Sequence, residues 1–140
     1  MKTTKLILAL TVVAMTAACG GPKKEAQKVL VLYYSQTGNT KVVAEEIANR
    51  LGADIEAIEC VNPYDTAFYA TIERCKEEQA QGILPEIQPV KADISQYDLI
   101  FIGYPVWFGT YAPPIATWLK DVDLSRSEER RVGKECDPAC

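Results

Sequence analysis

There is no histidine in these 140 residues. The commonest general base and the commonest metal ligand are therefore both absent, which excludes most triad hydrolases and histidine-bound metal centres. Glycine-rich phosphate signatures are missing too: neither G-x-x-x-x-G-K-[ST] nor G-x-G-x-x-G occurs. Cys60 and Cys75 match no metal-binding spacing, and no cysteine stands in the first loop, which excludes the small C-x5-R phosphatases. Basic residues are scarce. Residues 20–125 hold nine Lys/Arg against fifteen Asp/Glu, a net charge of −6. Such a surface lacks the basic patch that nucleic acid requires, so no nucleic-acid partner is expected. An acidic surface suits a basic protein partner, although acidic surfaces also simply keep proteins soluble.

The one stretch around which the rest is organised is VLVLYYSQTGNTKVVAEEIANR, residues 29–50. It opens with an apolar run over residues 29–34, rich in β-branched and aromatic side chains, which reads as a buried parallel strand. A helical pattern follows, with Val42, Val43, Ile47 and Leu51 at spacings of three and four. Between them lie Ser35, Gln36, Thr37, Gly38, Asn39 and Thr40. Hydroxyl and amide donors at a helix start can hold an anion, since unpaired N–H groups and the helix dipole both favour negative charge. No Lys or Arg lies inside the turn, so a phosphate would be held by neutral donors. The plainer reading makes Thr37 or Asn39 an ordinary helix cap.

Both ends of the chain stand apart. Lys2 and Lys5, an apolar run over residues 6–14, and Thr16-Ala17-Ala18 before Cys19 form a secretory signal over residues 1–18. Its h-region is too short to span a membrane stably. The small residues followed by Cys19 resemble a bacterial lipoprotein signal, in which that cysteine is lipidated. The alternative is a secreted protein with a chance cysteine there. Residues 19–27 then read as the anchor and a short tether. The implied location is extracytoplasmic, membrane-anchored through lipid on the periplasmic side or the cell surface. At the other end, RSEERRVGKEC (residues 126–136) is densely charged and has no hydrophobic period. It resembles the translation of a short-read sequencing adapter, which makes residues 126–140 an artefactual tail on a gene broken near Ser125; a natural charged tail is the alternative. Cys60 and Cys75 remain, either paired in an oxidising compartment or buried as thiols.

Between these ends the organisation is α/β. Gly52 follows the first helix as a C-cap. ADIEAIEC (residues 53–60) alternates as a strand near a sheet edge. Residues 65–81 carry a loose helical period through Phe68, Ile72 and Cys75, closed by Gly82. Residues 84–95, with Pro85 and Pro89, read as an extended surface connection. YDLIFIG (residues 97–103) is a second buried strand. It runs into a Gly/Pro-framed aromatic loop, Tyr104, Pro105, Val106, Trp107, Phe108, Gly109, Thr110 and Tyr111, before a helix opening at Pro113 or Pro114. An aromatic loop beside an anion turn points to a flat conjugated ligand with a phosphate tail, stacked on Trp107 or a tyrosine. Alternatively, Trp107 and Phe108 cover the sheet end as core. Receiver domains need an aspartate at the end of the first strand, where this chain has Tyr33 and Tyr34.

Together VLVLYYSQTGNTKVVAEEIA and YDLIFIGYPVWFGTYAPPI resemble the flavodoxin family, over about residues 28–121. The resemblance implies a doubly wound parallel sheet of order 2-1-3-4-5 with FMN at its switch point. Only the N-terminal three strands of that sheet lie in residues 28–125. It implies that Ser35, Gln36, Thr37, Gly38, Asn39 and Thr40 wrap the FMN phosphate, and that Tyr104, Pro105, Val106, Trp107, Phe108 and Gly109 line the isoalloxazine, with Trp107 stacking on the ring. It also places the peptide joining Phe108 to Gly109 near flavin N5, in a type II turn that needs φ > 0 at Gly109. The implied activity is FMN-dependent electron transfer, to a redox partner protein or a small-molecule acceptor, with no catalytic acid or base. Two alternatives stand beside it. An FMN-dependent NAD(P)H quinone or nitro reductase would turn over nicotinamide cofactors directly. A flavin-free binding module on the same fold would carry no flavin when natively purified. A half-domain has a long exposed strand edge and a small core, so the polypeptide without its leader is expected to fold poorly and to bind FMN weakly or not at all.

Overall fold

The computed structural model describes residues 27–125 and Glu128. The expected signal segment, Cys19 with its expected lipid, the expected tether up to residue 26 and, apart from Glu128, the charged tail lie outside the described residues.

Apolar runs form the sheet. Strand β1 (Val29–Tyr33) is central, flanked by β2 (Asp54–Ala57) and β3 (Leu99–Gly103), all parallel, in the order β2-β1-β3. The register pairs Val31 with Ile55 on one side and with Phe101 on the other. A strand buried on both faces reads as a continuous apolar run, and Leu30, Val31, Leu32, Tyr33 and Tyr34 are all buried.

The helices divide between the two faces because the chain reverses direction across the sheet. From β1 the chain crosses through helix α1 (Asn39–Leu51) to β2 on one side. From β2 it crosses through α2 (Phe68–Gln81) to β3 on the other side of β1. Right-handed crossovers in opposite directions place their helices on opposite faces. Alternate residues of β1 serve the two layers accordingly. Val31 and Tyr33 pack with Ala44 and Ala48 of α1, whereas Leu32 and Tyr34 pack with Ile58, Cys75, Ile115 and Trp118 beneath α2 and α3 (Pro113–Asp121).

Two helix faces differ from expectation. Val42 and Val43 of α1 are 66% and 59% exposed, and Leu51 is also exposed. The buried stripe is Ala44 and Ala48 instead, with Ile47 beside it. Small side chains let the helix backbone sit close over β1, so the aliphatic residues are turned to its flank. In α2 the buried position is Cys75, and Phe68 is 71% exposed in the first turn. The expected caps are in place: Gly52 and Gly82 adopt left-handed φ values of 61° and 65°. Prolines occupy the start of α3.

The connection from α2 to β3 is extended, as expected. Ile87 bridges Cys60, Val61 N donates to Glu86 O at 2.9 Å, and Gln88 N donates to Glu59 O at 2.7 Å. Cys60 and Cys75 are both free thiols, buried in the same apolar layer.

Candidate functional site

Chain reversal between β1 and β3 opens a crevice at their carboxyl ends, the usual ligand position in an open α/β sheet. The turn after β1 and the loop after β3 meet there. Tyr34 N donates to Gly103 O at 2.9 Å. A Cβ placed on Gly103 would lie 3.2 Å from Thr40 Cγ2 and 3.2 Å from Tyr33 Cβ. Gly103 is thus what lets the end of β3 sit close to the start of α1, and periodicity alone gave no sign of it, because a glycine ending a strand usually marks only the turn.

The first loop is built around Ser35. Its Oγ accepts from Gly38 N at 3.1 Å and Lys41 N at 3.2 Å. Two accepted bonds leave the hydroxyl hydrogen to donate outward. Helix α1 is preceded by Gly38 at φ 90°, with no side-chain cap and no acidic residue in its first turn. Neither Thr37 nor Asn39 therefore caps the helix: Gly38 holds the cap position and Asn39 is the first helical residue. Thr37 and Asn39 are exposed, and Thr40 is half-buried against Gly103. Hydroxyls, an amide and the positive end of a helix, with no carboxylate among them, fit a phosphate group.

Gln36 stands apart from the other turn residues. Its side-chain oxygen accepts from Tyr34 Oη at 2.6 Å, and its nitrogen donates to Tyr64 O at 3.2 Å and Asp65 O at 2.6 Å. Its side chain thus ties the turn to residues 64–65 instead of facing a ligand.

The second loop is a small hairpin. Strand β4 (Val106–Trp107) pairs antiparallel with β5 (Thr110–Tyr111) across Phe108 and Gly109. Phe108 has φ 50° and Gly109 φ 77°. Two consecutive positive φ values correspond to a type I′ turn, not the type II turn expected from sequence. The reason is the strand pairing: a two-residue loop between right-twisted strands favours the primed turns.

Trp107 also departs from expectation. Its ring is half-buried and meets Tyr34 edge-on at 5.9 Å and Tyr64 edge-on at 5.2 Å. These contacts draw the indole into the apolar layer as a support. The open aromatic surface of the hairpin is Tyr104 (38% exposed), Phe108 (53% exposed) and Tyr111, with Tyr104 and Tyr111 edge-on at 6.0 Å. Pro105 is half-buried and Val106 exposed. A cleft of about 290 Å³ lies between the end of α2, the hairpin and the start of α3, with Ile83, Trp107, Phe108 and Tyr111 among its walls.

Beneath both loops lies a polar cluster with no simple sequence signature. Arg74 Nε donates to Glu78 Oε1 at 2.8 Å, and Arg74 Nη1 donates to Asn62 O and Pro63 O, each at 3.0 Å. Tyr64 Oη donates to Glu78 Oε2. Burial, followed by the bond to Glu78, pushes the Tyr64 phenol well above its ordinary range. Burial also raises Tyr34, with Cys60 and Cys75 adding to the shift. For Arg74, burial acts downward, but the Glu78 carboxylate outweighs it and holds the guanidinium above its ordinary value. Burial pushes the Cys60 thiol up to about 11, with Arg74 opposing. The i, i+4 spacing of Arg74 and Glu78 was the only local trace of this cluster.

A profile described as flavodoxin matches residues 28–128. Among curated proteins, an NAD(P)H dehydrogenase (quinone) from Gluconacetobacter diazotrophicus is 34% identical over 96 residues, covering 65% of this chain and 44% of that protein. Among solved structures, a flavoprotein from Lactobacillus acidophilus in complex with FMN is 39% identical, with a TM-score of 0.60, over 68% of this chain and 66% of that one. A protein from Bacteroides eggerthii is 32% identical, with a TM-score of 0.62, over 70% of this chain and 64% of its own. The chain spans under half the length of that curated relative and about two thirds of each of these structures.

Proposed function

The chain belongs to the flavodoxin family, and from that premise we propose that it binds FMN and passes electrons to a protein or small-molecule acceptor. The observation that carries this reading is the meeting of two complementary loops. A hydroxyl-rich turn at a helix start and an aromatic hairpin follow two neighbouring strands, and the start of α1 packs against the end of β3, where Thr40 faces Gly103. Ser35, Thr37, Gly38, Asn39 and Thr40 would hold the phosphate, with Gln36 bracing the turn from behind. The hairpin residues Tyr104, Pro105, Val106, Phe108 and Gly109 would face the ring system, with Trp107 supporting them from the core side.

FMN, when bound, supplies reversible one- and two-electron chemistry. The protein's own residues bind it, orient it and limit its contact with water. Ser35 keeps its hydroxyl hydrogen directed away from two N–H donors, toward an incoming phosphate oxygen. No protein acid or base is required for electron transfer. The test is to purify the full natural protein from its own source, extract the bound chromophore and identify it by mass. Stoichiometric FMN supports the reading, and a colourless, flavin-free protein overturns it.

A second reading is favoured by the quinone-reducing relative. NAD(P)H-dependent reduction of a quinone by the same purified protein would establish that reading; chemical reduction alone, with no nicotinamide turnover, would leave the carrier role. For location, we propose attachment outside the cytoplasm through Cys19, supported by the small residues before it and the short apolar run at residues 6–14. Incorporation of labelled palmitate that disappears in Cys19→Ser is the expected result.

A further inference from the structure

Two loops that hold one ligand from different strands must be kept at a fixed distance and angle, or the binding energy of one end is lost at the other. Here a third segment touches both. On one side, Gln36 of the first turn donates to Tyr64 O and Asp65 O. On the other, the Tyr64 ring meets Trp107 of the hairpin at 5.2 Å. Residues 62–65 are themselves gripped from α2. Arg74 donates to the carbonyls of Asn62 and Pro63, stacks with its guanidinium 4.0 Å from the centre of the Tyr64 ring, and binds Glu78, which accepts from Tyr64 Oη. Among the described residues no buried side-chain polar atom is left without a partner. A fully satisfied, partly buried network of this kind is stiff, because each bond is strengthened by the low local dielectric and by its neighbours.

We infer that residues 62–65, clamped by Arg74 and Glu78, form the positioning element that sets the phosphate-side turn against the ring-side hairpin. Arg74 and Glu78 act through Tyr64, which acts through Gln36 and Trp107. The inference rests on the FMN-site reading for its purpose, but the mechanical coupling is a property of the chain without flavin. An ordinary packing role for α2 would make a different prediction, since it would loosen the whole apolar layer together.

The experiment is amide hydrogen exchange on the full flavin-free protein, read by peptide, with FMN affinity measured in parallel. In Arg74→Met, exchange over residues 36–41 and 104–111 is expected to quicken about tenfold, the size of one or two lost hydrogen bonds, while β1 is unchanged. Tyr64→Leu should do the same. Tyr64→Phe keeps the ring contacts and the backbone acceptors, and should retain protection of the hairpin. FMN affinity should fall about tenfold in the first two variants and stay near wild type in the third. The inference is overturned if exchange in the two loops stays at its wild-type rate, if it rises equally throughout β1, or if Phe behaves as Leu. Should Arg74→Met not fold, Gln36→Ala decides: it cuts the turn's arm only, so residues 36–41 must quicken while the hairpin, still held through Tyr64 and Trp107, keeps its protection. A wild-type protein that binds no flavin would sink the FMN reading, and the exchange pattern would still decide the coupling.

Discussion

Arg74 covers the face of Tyr64 at 4.0 Å, and Glu78 binds both of them, one carboxylate oxygen to each. The nine residues between Tyr64 and Arg74 include the exposed approach to α2, so neither local pattern nor composition announces the pair. Its effect lies in geometry. Arg74 stacks on one side of the Tyr64 ring, and Trp107 rests on the same ring. The hairpin that follows β3 therefore takes its position from α2 as well as from its own strand.

Gly103 ends β3 where the start of α1 and the end of β1 pack closely against it. An added Cβ in Gly103→Ala would meet Thr40 and Tyr33 at 3.2 Å, so one loop must move by a few tenths of an ångström. The expected cost is about 1–2 kcal/mol in urea denaturation, at the lower end of overpacking effects. FMN affinity should fall by more than that stability loss accounts for, because the loops are pushed apart. A variant with wild-type FMN affinity would remove the argument that this contact brings the site together.

Ser35→Ala deletes the acceptor for Gly38 N and Lys41 N. Loss of these two accepted bonds is expected to cost about 1–2 kcal/mol of stability, the usual range for backbone donors left without their partner. Binding of a phosphate-bearing flavin should weaken as well, while binding of riboflavin, which has no phosphate, should change little. Comparing the two flavins by fluorescence titration separates the turn's role toward phosphate from a general loss of fold.

Phe108 is held at φ 50° in the I′ turn with its side chain half in solvent. A bulky residue in the left-handed region is strained by about 1 kcal/mol, and asparagine tolerates that region better. Phe108→Asn should raise the melting temperature of the flavin-free protein and lower its affinity for FMN. Strain retained at a ligand-facing turn is the pattern expected of a functional site. A variant that is less stable would show instead that the Phe108 ring is needed for packing.

Cys60 sets a direction for alkaline stability. Burial raises its thiol from 9.0 to about 11 in the folded state, so the unfolded chain releases the proton first. The contribution is fully present below about pH 9 and is lost as pH rises toward about 11. The raised thiol of Cys75 and the raised phenols of Tyr34 and Tyr64 act in the same sense. The urea midpoint should fall steadily across that window, and less steeply in Cys60→Val. Both thiols should also resist alkylation until the chain is unfolded, since only the thiolate reacts.

The sequence by itself determined the sheet and the ends at which chemistry gathers. The apolar runs after Lys28 and Asp98 became β1 and β3, glycines ended α1 and α2, and prolines opened α3. Those are local properties: burial on both faces, a left-handed cap and a fixed φ are each specified within a few residues. Tertiary structure decided what each side chain near the site does. Ala44 and Ala48, not Val42 and Val43, face the sheet because small residues allow close approach to β1. Trp107 leans inward, half-buried, because Tyr34 and Tyr64 meet its ring edge-on. Gln36 spends its amide on residues 28 and 29 positions away along the chain. Phe108 takes positive φ because β4 and β5 pair around it. Each of these outcomes depends on a partner far off in sequence, and a spacing pattern carries no information about which partner the fold will bring.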